Sequence, residues 1–155
     1  MILINKINLP YSIIEKTINF FRDLGQDSLE ACVIWVGEEQ HDLFEVRDVW
    51  FPRQENTIIS YYIPAIEVHY FNVKLNKNNY SAIAQLHTHP GDAFHSTVDD
   101  EHTILSLPGS FSIVFPNFGS IPVNAIDKWV VYRLLDGQWK YQTKNKVKEV
   151  FQIIE

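Results

Sequence analysis

One segment gathers most of the side chains able to bind a metal: Leu86-His87-Thr88-His89-Pro90-Gly91-Asp92-Ala93-Phe94-His95-Ser96-Thr97-Val98-Asp99-Asp100. His87 and His89 end an apolar run that reads as a strand. Residues two apart on a strand share a face, so both imidazoles can reach one ion. Pro90-Gly91 stops the strand just after them. Ser96 suits a helix N-cap, and Asp99 three residues on falls in the first turn, where a carboxylate can face back toward the strand end as a third ligand. Two His, one carboxylate and an open fourth position form the pattern of a catalytic zinc site; a structural site fills all four positions with protein ligands. Hydrolysis at such a site also needs a group that takes a proton from water and returns it to the leaving amine. Glu30 fits that role. It opens the apolar stretch Glu30-Ala31-Cys32-Val33-Ile34-Trp35-Val36-Gly37, where burying a carboxylate is costly unless it has a partner or a task. The competing reading puts Glu30 at an exposed strand edge.

The elements that must position these residues follow from apolar spacing. Residues 1–5 read as a short strand. Pro10 opens a helix carrying Ile13, Ile14, Ile18, Phe21 and Leu24, with Gly25 as its stop. Strands are expected over 29–36, 42–51 and 57–63. Pro64 then starts a helix through Leu75, followed by a strand over 80–86 that delivers the histidine pair. A helix is expected over 96–107, ended by Pro108-Gly109, and a strand over 111–115. A hairpin pairs 128–134 with 139–143 across Asp136-Gly137, and a closing helix covers 146–154. Strands and helices intermix without strict alternation, which predicts an α+β or mixed α/β fold with helices packed on one sheet.

Composition bounds the rest. A chain of 155 residues fits a single compact domain over 1–155. A formal charge of −6 argues against nucleic-acid binding and against a polybasic membrane anchor. Only one cysteine is present, Cys32, so no intrachain disulfide can form. Mid-strand among apolar residues, its thiol stays protonated and inert rather than nucleophilic. No apolar run approaches the ~18 residues of a spanning helix, and the N-terminus reads as part of the fold rather than a signal peptide. The expectation is a cytoplasmic protein. Trp35, Trp50, Trp129 and Trp139 read as packing residues, and His41 and His69 as surface residues. His95 and His102 lie close enough to the motif for lesser roles at the site. The loop Pro116–Asn124 looks shaped, with Phe118 as a candidate wall of a substrate groove.

Together, His87-Thr88-His89-Pro90, Ser96-Thr97-Val98-Asp99 and the upstream Glu30 to Gly37 spacing resemble the JAMM motif of JAB/MPN-domain metalloproteases. The resemblance runs over roughly 28–118 and takes in the return strand Leu107-Pro108-Gly109-Ser110-Phe111-Ser112-Ile113-Val114. It implies a curved sheet flanked by helices. It also implies zinc held by His87, His89 and Asp99, Glu30 as acid/base, and the Ser96 hydroxyl as a donor that steadies the tetrahedral oxyanion, beside or instead of its role as a cap. Between Pro90 and Ser96 this chain has one residue fewer than the family pattern. One register keeps Ser-x-x-Asp and makes Asp99 the ligand. The other keeps the distance from His89 and makes Asp100 the ligand, with Thr97 in the serine's place. Adjacent helical residues point about 100° apart, so only one can face the metal; the valine before it favours Asp99.

The resemblance further implies a substrate class, the C-terminal tail of a ubiquitin-like protein in precursors or conjugates. The short form with His-Thr-His-Pro-Gly looks most like standalone bacterial members that accompany activating and conjugating enzymes, including those of antiviral defence operons. Two other readings stand beside a deubiquitinase-like isopeptidase. One is a non-catalytic scaffold for protein assembly, although such members usually lack the His pair or the Glu. The other is a metallopeptidase for small peptides or sulfur-carrier precursors. The two registers make opposite predictions for bound metal. Asp99→Ala should lose zinc while Asp100→Ala retains it, and metal quantification on the purified variants reads the answer directly.

Overall fold

The structure is a computed structural model that describes residues 3–93 and 104–155. Strand β1 (Lys6–Pro10) leads into helix α1 (Tyr11–Gly25), and the long hairpin β2 (Cys32–Gln40) and β3 (Leu43–Trp50) follows. Next come the short pair β4 (Glu55–Asn56) and β5 (Tyr61–Tyr62), helix α2 (Ala65–Asn78) and strand β6 (Ser81–Thr88). The second half holds β7 (Phe111–Phe115), the hairpin β8 (Val130–Leu135) and β9 (Gln138–Gln142), helix α3 (Lys144–Val150) and β10 (Phe151–Ile154). Eight strands form one mixed sheet in the order β10-β1-β3-β2-β6-β7-β8-β9, while β4 and β5 pair separately.

Both faces of this sheet are covered. On one lie α1 and α3, which bury Ile14, Ile18, Phe21, Val147 and Val150 against Trp35 and the rest of the larger core. On the other, α2 and the segment at 104–105 cover Cys32, Ile34 and Val36. The β2 run is therefore apolar at consecutive positions and not only alternate ones, as a strand buried on both faces must be. Within the larger core Thr17 accepts a hydrogen bond from Trp35 Nε1 at 2.9 Å and donates to the Ile13 carbonyl at 2.8 Å, which satisfies the indole.

Most expected elements are present, and the departures have physical causes. The first strand lies at 6–10 rather than 1–5, where Ile7 and Leu9 alternate into the core. The single strand expected over 57–63 is a hairpin turning at Thr57, whose N–H donates to the Ser60 carbonyl and whose hydroxyl accepts from the Ser60 N–H. The closing helix ends at Val150, and Phe151–Ile154 form a strand parallel to β1. Val147, Val150, Phe151 and Ile154 keep helical spacing throughout, so periodicity could not show where the helix stopped. Residues 104–107 are not helical, so the helix expected to reach Leu107 does not, and 96–103 fall outside the described residues. The Asp136-Gly137 turn is as expected, with φ of 53° and 76° at its two central residues.

Two glycines are fixed by close approach. Gly25 ends α1, but the Phe118 Cβ lies 2.7 Å from where a Gly25 Cβ would stand, so its smallness admits the 116–120 turn. At Gly37, β2 shifts register against β3, and a Cβ there would lie 1.9 Å from the Glu45 carbonyl oxygen. Backbone must move to accept it. Gly37→Ala is expected to destabilise the protein by about 1–3 kcal/mol, the usual cost of overpacking, read as a lower denaturation midpoint with an unchanged m-value.

Candidate active site

Cross-strand register builds the site. In the antiparallel pair β2–β6, Cys32 stands opposite His87, Val33 opposite Leu86 and Ile34 opposite Gln85. The pairing continues past the last ladder residues: the Thr88 N–H donates to the Ala31 carbonyl at 3.1 Å, and the Ala31 N–H donates to the Thr88 hydroxyl at 3.0 Å. One step further, the same register sets Glu30 opposite His89. The side chains meet there, with Glu30 Oε1 3.9 Å from His89 Nε2. Parity puts Glu30 and Cys32 on the face that also carries His87, so carboxylate and imidazoles converge.

His87 and His89 lie with ring centroids 5.2 Å apart and planes at 49°. His87, His89 and Glu30 are only 1%, 6% and 5% exposed. An ion about 2.0–2.1 Å from one nitrogen of each ring lies about 3.2 Å from each centroid, and a tetrahedral angle then separates the centroids by about 5.2 Å. The spacing of the two rings therefore matches that of two imidazoles sharing one metal ion. Among the described residues no group of three or more His, Cys, Asp and Glu forms a metal site. Ser96, Asp99 and Asp100, with His95 and His102, lie in 94–103, outside the described residues.

The backbone around the pair is held tightly. β6 and β7 run parallel, and the His89 N–H extends their ladder by donating to the Phe115 carbonyl at 3.0 Å. The His89 carbonyl accepts from the Phe118 N–H at 2.8 Å, and the Gly91 carbonyl from the Asn117 N–H at 3.0 Å. Phe118 thus supports the site through its backbone, and its Cβ packs close to Gly25 at the end of α1. The histidine pair lies at the carboxyl end of β6, level with the carboxyl end of its parallel neighbour β7, a position where parallel strands commonly offer a site. Gln85, on the histidine face, accepts from the N–H groups of Ile104 and Leu105 at 2.9 and 3.0 Å and anchors the returning chain.

A second group of supporting residues is invisible to motif reading. The Gln54 carboxamide acts as a strand partner for Cys32, accepting from its N–H and donating to its carbonyl, both at 2.9 Å. Asn56 Nδ2 donates to the Glu30 carbonyl and to Gln54 Oε1, each at 2.8 Å. The Glu30 N–H donates to the Thr57 carbonyl at 2.8 Å. Tyr61, on β5, places its ring 5.8 Å from that of His87. Gln54, Asn56 and Thr57 carry no motif signal, because Glu30 and Cys32, which they hold, lie more than twenty residues away. Glu30 precedes β2 and is buried, so the exposed-edge reading does not hold. Cys32 is fully buried in β2, and His41 and His69 are exposed.

No family model matches the chain. A protein of Sinorhizobium fredii named as a probable metalloprotease is 33% identical over 123 residues, covering 77% of this chain and 76% of that protein. A Desulfitobacterium hafniense protein solved in solution superposes with a TM-score of 0.69 at 15% identity, covering 96% of this chain and 93% of the other. A crystal structure of a JAB1/MPN domain protein from Archaeoglobus fulgidus superposes with a TM-score of 0.53 at 11% identity, covering 97% and 98%. The curled mixed sheet with its flanking helices is the fold of these neighbours. No helix among the described residues is long and apolar enough to cross a membrane. Kinship with a probable metalloprotease over three quarters of both chains places the chain in that protein's family, and its fold is shared with a JAB1/MPN domain protein.

Proposed function

We propose that the protein is a zinc-dependent isopeptidase that cleaves after the C-terminal tail of a ubiquitin-like modifier. The observation that carries this reading is the buried Glu30 carboxylate 3.9 Å from His89 Nε2, on the strand face shared with His87. His87 and His89 would hold the metal, with Asp99 as third ligand. When bound, the ion supplies a Lewis acid and a water acidified toward pKa ~7. Beside that pair Glu30 would serve as the general base that accepts a proton and the general acid that returns it to the departing amine, without a second base. Ser96 supplies a hydrogen bond to the developing oxyanion. A scaffold without catalysis has no use for a carboxylate buried against the metal-binding pair.

Exposed apolar side chains beside the site support a macromolecular substrate. Ile58 and Ile59 stand at the tip of the β4–β5 hairpin, the same hairpin that holds the Glu30 backbone, and Tyr62 is exposed at its base. Ile66, Tyr70 and Val73 are likewise exposed at helical spacing on α2. A peptidase for short peptides does not need such a surface, whereas a folded modifier whose tail enters the site would rest on it. The net charge of −6 favours a modifier with a basic face. Activating and conjugating enzymes of the same system, in a bacterial conjugation or antiviral defence setting, are the partners this reading implies.

A modifier fused through its C-terminus to a reporter tests the proposal. Cleavage is expected to stop with chelator and return with zinc; full cleavage in chelator overturns the metal mechanism. Glu30→Ala should lower the rate by about 10²–10⁴-fold, the scale of general acid–base catalysis, with metal content unchanged. Loss of metal in that variant would show that Glu30 is a ligand. Asn56→Ala leaves the Glu30 carbonyl short of a donor and should cost about 1–3 kcal/mol of stability, measured by chemical denaturation, while metal content stays at the wild-type level.

A further inference from the structure

Arg133 lies at the end of the sheet opposite the histidine pair. On β8 it pairs with Phe111, which is level with Ala84 on β6, five residues before His89. It is 5% exposed, although arginine is rarely buried without a carboxylate. Its guanidinium stands 4.5 Å over the Phe111 ring. Arg133 Nε donates to the Gly109 carbonyl at 3.0 Å, and one Nη donates to the Ile4 carbonyl at 2.7 Å. Those two bonds use two of the five N–H groups that a guanidinium carries. Among the described residues no carboxylate pairs with it, and its second Nη has no acceptor. Burial lowers its pKa from the ordinary arginine value, since the charge is desolvated.

The residue lines a cavity of about 130 Å³. The Ser110 hydroxyl, without a hydrogen-bond partner among the described residues, shares this cavity, and Leu3, Ile83, Leu107 and Pro108 supply apolar wall. Two carbonyl clamps could be met by a neutral side chain. A permanent cation with N–H groups to spare, lining one cavity with an unused hydroxyl, can receive an oxyanion, because arginine matches carboxylate geometry with two parallel bonds.

We propose that this cavity binds a small monocarboxylate with a short apolar tail. Glu39 on the cavity rim repels a doubly charged anion such as phosphate more strongly than a single carboxylate. The volume sets the tail: an engineered apolar cavity of about 150 Å³ holds benzene, and butyrate has as many non-hydrogen atoms. The carboxylate meets Arg133 and Ser110, and the tail lies against the apolar wall. The site is separate from the metal-binding pair and stands or falls independently of the proposed isopeptidase activity.

Butyrate titrated into the isotopically labelled protein tests this by NMR. Saturable shifts are expected at the Arg133 Nε–H and at the Ile4 and Gly109 amides, with none at Thr88 or Phe118 beside the histidines. Millimolar affinity is the scale a ligand of this size reaches. Butyramide, its neutral counterpart, should give no saturable shift. Arg133→Lys should weaken binding at least tenfold by losing the fork, and if that variant does not fold, Ser110→Ala should weaken it several-fold. No saturation by butyrate, equal shifts with butyramide, or saturation by inorganic phosphate in preference to butyrate overturns the proposal.

Discussion

The register of β2 against β6 is the constraint on which the rest depends. Four successive pairs, from Cys32–His87 to Trp35–Ala84, run without interruption before the ladder shifts at Val36. Because strand side chains alternate, a slip of one residue would turn Glu30 to the opposite face from His89. Nothing local to either segment prevents such a slip. What prevents it is the two-sided core: Trp35 must enter the larger cluster under α1, and Cys32 and Ile34 must enter the smaller one under α2. Only one register satisfies both faces. The shift at Gly37, which only glycine tolerates, then lets β3 follow β2 out to Gln40.

Burying a carboxylate and two imidazoles at the end of this ladder has a cost, and the structure offsets it with satisfied backbone. Glu30, Ala31 and Cys32 each find hydrogen-bond partners for their main-chain groups in Thr57, Asn56, Thr88 and Gln54. Lone carboxamides stand where another strand would have paired. This keeps the β2 entrance ordered without covering it by a full neighbour, which leaves room for the β4–β5 hairpin and its exposed tip. A site built on strand ends and pinned by carboxamides is stiffer than one carried on a loop, and stiffness is what the acid–base role proposed for Glu30 would need.

Legibility followed the range of the forces involved. His87 and His89 could be assigned to one face from spacing alone, and the Asp136-Gly137 hairpin could be placed from turn chemistry. The α1 stripe was equally plain, since its apolar positions and Pro10 are local signals. Where two elements share one periodicity the reading failed: Val147 to Ile154 keeps helical spacing, yet its last four residues pair with β1, because an open strand edge offers Phe151–Ile154 backbone partners that the helix could not match in burial. The N-terminal strand was displaced for the same reason, its position being set by its neighbours β3 and β10.

The sequence by itself determined the chemistry available: two imidazoles in step on one strand, a carboxylate opening a buried run, and apolar patterns for an α+β domain. Tertiary structure decided which groups meet. Glu30 and His89 are 59 positions apart in the chain, and their contact exists because long-range ladder hydrogen bonds and a core on both faces select one register. Gln54 and Asn56, and Arg133 beside its cavity, became visible only there as well. Their partners are distant in sequence, and a polar side chain shows its role only when the groups around it are known.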